Sequence, residues 1–160
     1  MKNILASHSM LDNLLEQEQT LQFTTFSNDD AHGIGERLYQ LAKERKLPIV
    51  IDITRNGQCL YHAALEGSSV DNDHWIQRKS NVAARFSHSS HYINLYLKHL
   101  ESTIEDTYLL DSCNYAAHGG SFPIILKGTG VIGTITVSGL PSEDDHALVI
   151  EVLNAWINEV

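Results

Sequence analysis

Leu11, Leu14, Leu15 and Leu21 recur at near-helical spacing among Asp and Glu, which predicts a helix over 10–21. After Phe23 to Phe26 comes Ser27-Asn28-Asp29-Asp30, a cap with acids in the first turn. Ala31, Ile34, Leu38, Leu41 and Ala42 then mark one face of a second helix. It closes on Lys43, Arg45 and Lys46, cations suited to the negative end of a helix dipole, just before Pro48.

Two β-prone runs, Ile49 to Thr54 and Gln58 to Ala64, flank Arg55-Asn56-Gly57. Asn-Gly between such runs signals a two-residue hairpin turn. A regular ladder from that turn sets Ile53 opposite Leu60 and Ile51 opposite His62. One face then carries Ile49, Ile51, Ile53, Leu60, His62 and Ala64. The other carries Val50, Asp52, Thr54, Cys59, Tyr61 and Ala63. His62 is expected to project from the aliphatic face.

Gly67 to Val70 reads as a loop, and Asp71-Asn72-Asp73 as the cap of a helix bearing Trp75, Ile76, Lys79, Val82, Ala83 and Phe86. Ser87 to Ser90 breaks that helix and caps another carrying Ile93, Leu97, Leu100 and Ile104. Asp111 to Gly120 is a loop. A second hairpin runs from Ser121 to Leu126, turns at Lys127 to Gly130 and returns over Val131 to Ser138. A last helix starts at Ser142 and shows Val149, Val152, Leu153, Trp156, Ile157 and Val160. Helices alternating with hairpins predict an α+β fold, an antiparallel sheet covered by helices.

The 160 residues fit one domain, 1–160, with 42% hydrophobic positions to build a core. A net charge of −9 excludes the basic stripe that nucleic acid requires and argues against an anionic membrane surface. No run of 18 apolar residues occurs, and the apolar patch Ile4-Leu5-Ala6 is too short for a signal peptide. Two cysteines, Cys59 and Cys113, make no disulfide framework, so a reducing cytoplasm is the expected compartment. Nine histidines are the compositional oddity, and their scatter alone does not distinguish ligands from surface residues.

Gly128-Thr129-Gly130-Val131-Ile132-Gly133 matches a dinucleotide fingerprint literally, but the chain continues as strand where that site needs a helix. The glycines are read as a hairpin turn. His88-x-x-His91 could present two imidazoles to a metal, against the plainer reading of surface or capping residues. Neither cysteine has a partner at x-x spacing, which disfavours zinc through thiolates. A Cys nucleophile would need His62 or His118 alongside. His62 is either a hydrogen-bonded core histidine or a ligand in an aliphatic pocket. His118-Gly119-Gly120 poses the same choice, since glycines permit close approach of a bound group or simply turn the chain. Arg78 and Lys79 form either a solvated helix face or an anchor for carboxylate or phosphate.

The runs Asp71–Lys79, Arg85–Ser90, Tyr115–Ile124, Gly130–Pro141 and Glu143–Val149, in this order, resemble the heme-degrading-domain family. The resemblance extends from Leu11 to Trp156. The start of the second hairpin, Gly119 to Ile124, and its return strand, Val131 to Gly139, are similar to a wider superfamily. That superfamily includes a secreted heme-binding protein, a glycolate-operon protein and the C-terminal domain of a corrinoid adenosyltransferase. The resemblance implies a profilin-like α+β domain with its core at about residues 11–157, closed homo-oligomers, and heme binding in part of the superfamily. Without a signal peptide like that of the secreted member, an extracellular sensor is not implied.

The expectation is therefore a cytoplasmic homo-oligomer that binds heme or a related small anionic ligand. His118 or His62, both chosen from this chain's own pattern, would approach the metal. Trp75, Gly119 and Gly120 would line the site, and Arg78 and Lys79 would pair with propionates. No acid–base pair for heme degradation stands out, so turnover is left open. Two rivals remain: a non-catalytic adaptor that binds a protein partner, and an enzyme on a small metabolite with a divalent metal held by histidines.

Overall fold

The computed structural model describes residues 2–159, with side chains from His8 onward. Helices α1 (Lys2–Thr20) and α2 (Asn28–Glu44) precede strands β1 (Val50–Arg55) and β2 (Gln58–Ala64). Helices α3 (Val70–Phe86), α4 (Ser90–His99) and α5 (Ile104–Tyr108) follow. Strands β3 (Ser121–Leu126) and β4 (Gly130–Ser138) and helix α6 (Ser142–Glu159) complete the chain. The four strands form one antiparallel sheet in the order β2-β1-β4-β3. The fold class is α+β, as the pattern predicts.

Local signals position most elements. Ser27 and Asp30 exchange side-chain and backbone hydrogen bonds as a capping box at the start of α2. Asn56 and Gly57 both take positive φ, the requirement of the tight β1–β2 turn. Pro123 is tolerated because β3 is an edge strand. The cap of α3 lies two residues earlier than expected, at Ser69. Ser69 and Asn72 form the capping box, and Asp71 and Asp73 lie within the first turn. The helix expected through Ile104 instead stops at His99, and Thr103 caps the separate helix α5.

Alternation along the strands separates two unlike faces. Ile49, Ile51, Ile53, Phe122, Ile124, Ile135 and Val137 pack with α2 and α6 in the main core. Under α3 the opposite face is polar: Asp52, Thr54, Ser121, Thr134, Thr136 and Ser138. There the Ser121 and Thr136 hydroxyls are 2.8 Å apart, and Thr54 Oγ1 donates to Asp52 Oδ1 at 2.8 Å. A second cluster built on Val82, Ile93, Leu97 and Ile104 joins α3, α4 and α5.

The face predicted for His62 is corrected. Arg55 pairs with Gln58 and Thr54 with Cys59, but Ile53 then pairs with Tyr61 and Asp52 with His62. One extra residue, Leu60, interrupts the ladder between them. A bulge of one residue exchanges the faces of everything beyond it. Tyr61 therefore turns to α2, where its ring lies against Gly35. His62 turns to the polar face beside Asp52.

Candidate functional site

Trp75, Arg78 and His118 meet where α3 passes the loop before β3. The periodicity of α3 sets Trp75 and Arg78 one turn apart, and the Arg78 guanidinium carbon lies 4.1 Å from the centroid of the Trp75 ring. The His118 ring meets Trp75 edge-on, with centroids 5.2 Å apart. Backbone hydrogen bonds fix the loop: Ala116 N–H donates to Arg78 O and His118 N–H to Ala116 O. Burial first, and then the charges of Lys79, Lys98 and Arg78, hold the His118 imidazole below its usual pKa. At neutral pH the ring is uncharged, the form that ligates a metal.

The Trp75–His118 pair stands between two adjoining clefts, of about 290 Å³ and 230 Å³. The larger is walled by Leu97, Ile104 and Ala116, with Arg78 and Lys98 as cations and Asn94 as a polar group. The smaller runs past Asn72 and Ser142 to the β4–α6 junction. Asn94 and Lys98 were not singled out from sequence. Their spacing of four on α4 puts them on one helix face, a signal shared by many helix surface pairs.

Lys79, expected at a solvated face or as an anion anchor, is a correction. It occupies an inward position of α3 and is 2% exposed. Its ammonium donates to Gly119 O at 3.0 Å, Val137 O at 2.6 Å and Asp145 Oδ2 at 3.0 Å. An ammonium has three hydrogens, so none is left for a ligand. Asp145 also accepts from the backbone N–H groups of Gly139 and Leu140. Burial pushes Lys79 down and Asp145 up, and their pairing opposes both shifts. This knot ties α3 to β4, α6 and the His118 loop.

Gly119 and Gly120 serve that knot. A Cβ on Gly119 would meet Ser142 O at 2.1 Å, and one on Gly120 would meet Lys79 Nζ and Val137 O at 2.4 Å. The Gly119 N–H also donates to Ser142 Oγ at 2.5 Å. The glycines bring the chain close to its own backbone and thereby aim His118 outward.

His62 shares none of these contacts. Its Nδ1 lies 3.0 Å from Asp52 Oδ2 and its Nε2 lies 3.0 Å from Asp73 Oδ1, on the first turn of α3. The Cys59 thiol donates to the same Asp52 oxygen at 3.6 Å. Burial and the Asp52 charge push this thiol up, the reverse of what activates a nucleophile. His88 and His91 diverge. His88 Nδ1 is 2.6 Å from Glu18 Oε2, whereas the buried His91 ring packs against His146 with centroids 4.8 Å apart. The turn that separates them is capped by Ser89, so they do not converge on one ion.

Residues 26–154 match the family described as haem-degrading, HbpS-like proteins. A UPF0303 protein of Streptomyces coelicolor is 49% identical over 146 residues, covering 91% of this chain and 92% of its own. One from Paraburkholderia phymatum is 46% identical, covering 92% and 89%. Among solved structures, the Ybr137w protein superimposes with a TM-score of 0.87 at 34% identity, over 99% of this chain and 96% of its own. The heme complex of PduOC shares the fold, with a TM-score of 0.68 at 17% identity over 84% and 96%.

Proposed function

We propose that this chain, which belongs to the HbpS-like heme-degrading family, is a cytoplasmic homo-oligomer that binds heme or a related anionic ring compound at His118. The observation that carries the proposal is the His118 imidazole held edge-on to Trp75 beside the Arg78 guanidinium. A histidine-ligated heme site combines an imidazole, an apolar wall and cations for propionates. His118, the Leu97–Ile104–Ala116 wall, and Arg78 with Lys98 fit those three needs. Heme, when bound, supplies iron for redox or oxygen chemistry, and the chain supplies binding and orientation.

Each cleft lies below the roughly 300 Å³ at which small-molecule sites begin. Neither cleft alone would enclose a ring the size of heme, which His118, Trp75 and Arg78 would hold from one side. A second copy of the chain would cover the other side. Leu100 and Leu109, 44% and 89% exposed, fall in the gaps between the cleft-lining segments 94–98, 102–105 and 112–118 and offer apolar surface for that contact. The exposed free thiols Cys59 and Cys113 suit a reducing compartment.

The test is a hemin titration of untagged protein, read by visible absorption with light scattering in parallel. A saturable, shifted Soret band at one heme per chain or per interface is expected. It is lost in His118→Ala and kept in His62→Ala. Weak, non-saturating binding that neither substitution changes would overturn the proposal.

A further inference from the structure

Asp52, Cys59 and His62 present an oxygen, a sulfur and a nitrogen that all lie within 4.8 Å of one another. We infer that these three side chains form a binding site for a zinc-class divalent cation, separate from the His118 cleft. The inference does not depend on heme binding.

The backbone gives the first argument. Cys59 and His62 are three apart in an edge strand and would point to opposite faces of a regular strand. The Leu60 bulge turns both to the face of Asp52, because Thr54 pairs with Cys59 while Asp52 pairs with His62. Asp52 and His62 share one rung, and the bulge adds Cys59 to their face, which is how strands re-aim side chains at sites.

The second argument lies behind the ligands. With Nδ1 turned to Asp52, the other imidazole nitrogen faces a carboxylate: Asp73 Oδ1 is 3.0 Å from Nε2. That oxygen is shielded from solvent and has no aligned hydrogen bond. A carboxylate behind the non-coordinating nitrogen is the usual support of a metal-bound histidine, since it fixes tautomer and ring orientation. Asp73 stands ready for that role once Nδ1 binds a cation and Nε2 carries the proton.

Chemistry selects the cation class. Thiolate, imidazole and carboxylate together suit zinc and its neighbours rather than magnesium or calcium, which prefer all-oxygen sets. Binding releases the Cys59 proton to solvent, and the two anionic ligands then balance the 2+ charge. Three protein ligands leave one tetrahedral position for water. Asp52 and Cys59 also line a cleft of about 560 Å³ between the sheet and α3, through which that position is reached.

Cobalt(II) titration of untagged, chelator-treated full-length protein tests the inference, because cobalt occupies zinc sites and reports its ligands by absorption. The expected result is one Co²⁺ per chain with a thiolate-to-cobalt near-ultraviolet band that added zinc abolishes. Cys59→Ser removes the band, and His62→Ala weakens binding. Asp73→Asn weakens affinity about 10–100-fold while the saturated spectrum keeps its thiolate band. Far-ultraviolet circular dichroism confirms that these edge and surface variants fold. No saturable binding, or binding whose spectrum is the same in Cys59→Ser, would overturn it.

Discussion

Lys79 Nζ lies 3.0 Å from Asp145 Oδ2 with both side chains 3% exposed, so a complete ion pair is sealed between α3 and α6. A buried pair adds little over a well-packed apolar one, yet removing one partner strands the other charge without solvent. Lys79→Met should therefore lower unfolding stability by about 3–5 kcal/mol. Adding Asp145→Asn to it should cost far less than the two single losses together. Urea unfolding of the four proteins in a double-mutant cycle checks this, and additive losses would contradict the pairing.

Gly133 is the last glycine of the Gly128–Gly133 string and lies in an inner strand. A Cβ there would meet Thr54 O at 2.1 Å and Arg55 Cα at 2.8 Å, both backbone atoms that cannot swing aside. β1 and β4 would have to spread. Gly133→Ala should cost about 3 kcal/mol, the upper end for overpacking. Gly128 has open space around it and only its positive φ at stake, so Gly128→Ala should cost about 1 kcal/mol. Thermal unfolding of the two variants side by side decides it, and the reverse order would refute the close-approach reading.

His146 is buried on α6 against His91 and Phe122, and its Nε2 is 2.8 Å from Gln17 Oε1. Burial, with a smaller push from His91, lowers it to about 3. The folded state keeps this ring neutral where the unfolded chain, with an ordinary histidine pKa, takes up a proton. Nothing is lost above about pH 6.5, and stability falls as pH drops from there toward 3. By pH 5 the loss from this residue should be about 2 kcal/mol. His91, also pushed down by burial, adds in the same direction. His146→Gln, which can keep an amide toward Gln17, should flatten the slope of stability between pH 6.5 and 4, and an unchanged slope would assign acid sensitivity elsewhere.

What could be read from sequence was local. The Ser27–Asp30 box, the Asn56-Gly57 turn and the apolar spacing of α2 each act within a few residues, and each element forms where those signals lie. Thr103-x-x-Asp106 carried a cap signature too, but Ile104 continued the apolar spacing of the preceding helix and concealed it. The Leu60 bulge left no local mark, because the turn rule specifies only the first pairs of a hairpin. A regular ladder therefore gives His62 the wrong face and hides its grouping with Cys59. Lys79 holds an apolar-spaced position of α3, but its charge reads as a solvated face or an anion anchor rather than as burial. Its acceptors, on three distant segments, are not legible locally.

Arg78 stacks on Trp75 at the rim of the cleft, where it can donate two parallel hydrogen bonds to a carboxylate. If heme propionates take them, Arg78→Gln should weaken hemin binding about 10–100-fold, the worth of hydrogen bonds to a charged group. The Soret position should not move, since the proposed iron ligand is His118. Arg78→Lys should recover only part of the loss, because an ammonium lacks the planar fork. Heme with esterified propionates supplies the control: its affinity should be the same for the unmodified chain and Arg78→Gln. Titration of the three proteins with both compounds gives the answer. An equal loss toward the ester would mean that Arg78 acts by holding Trp75 in place rather than by pairing with the ligand.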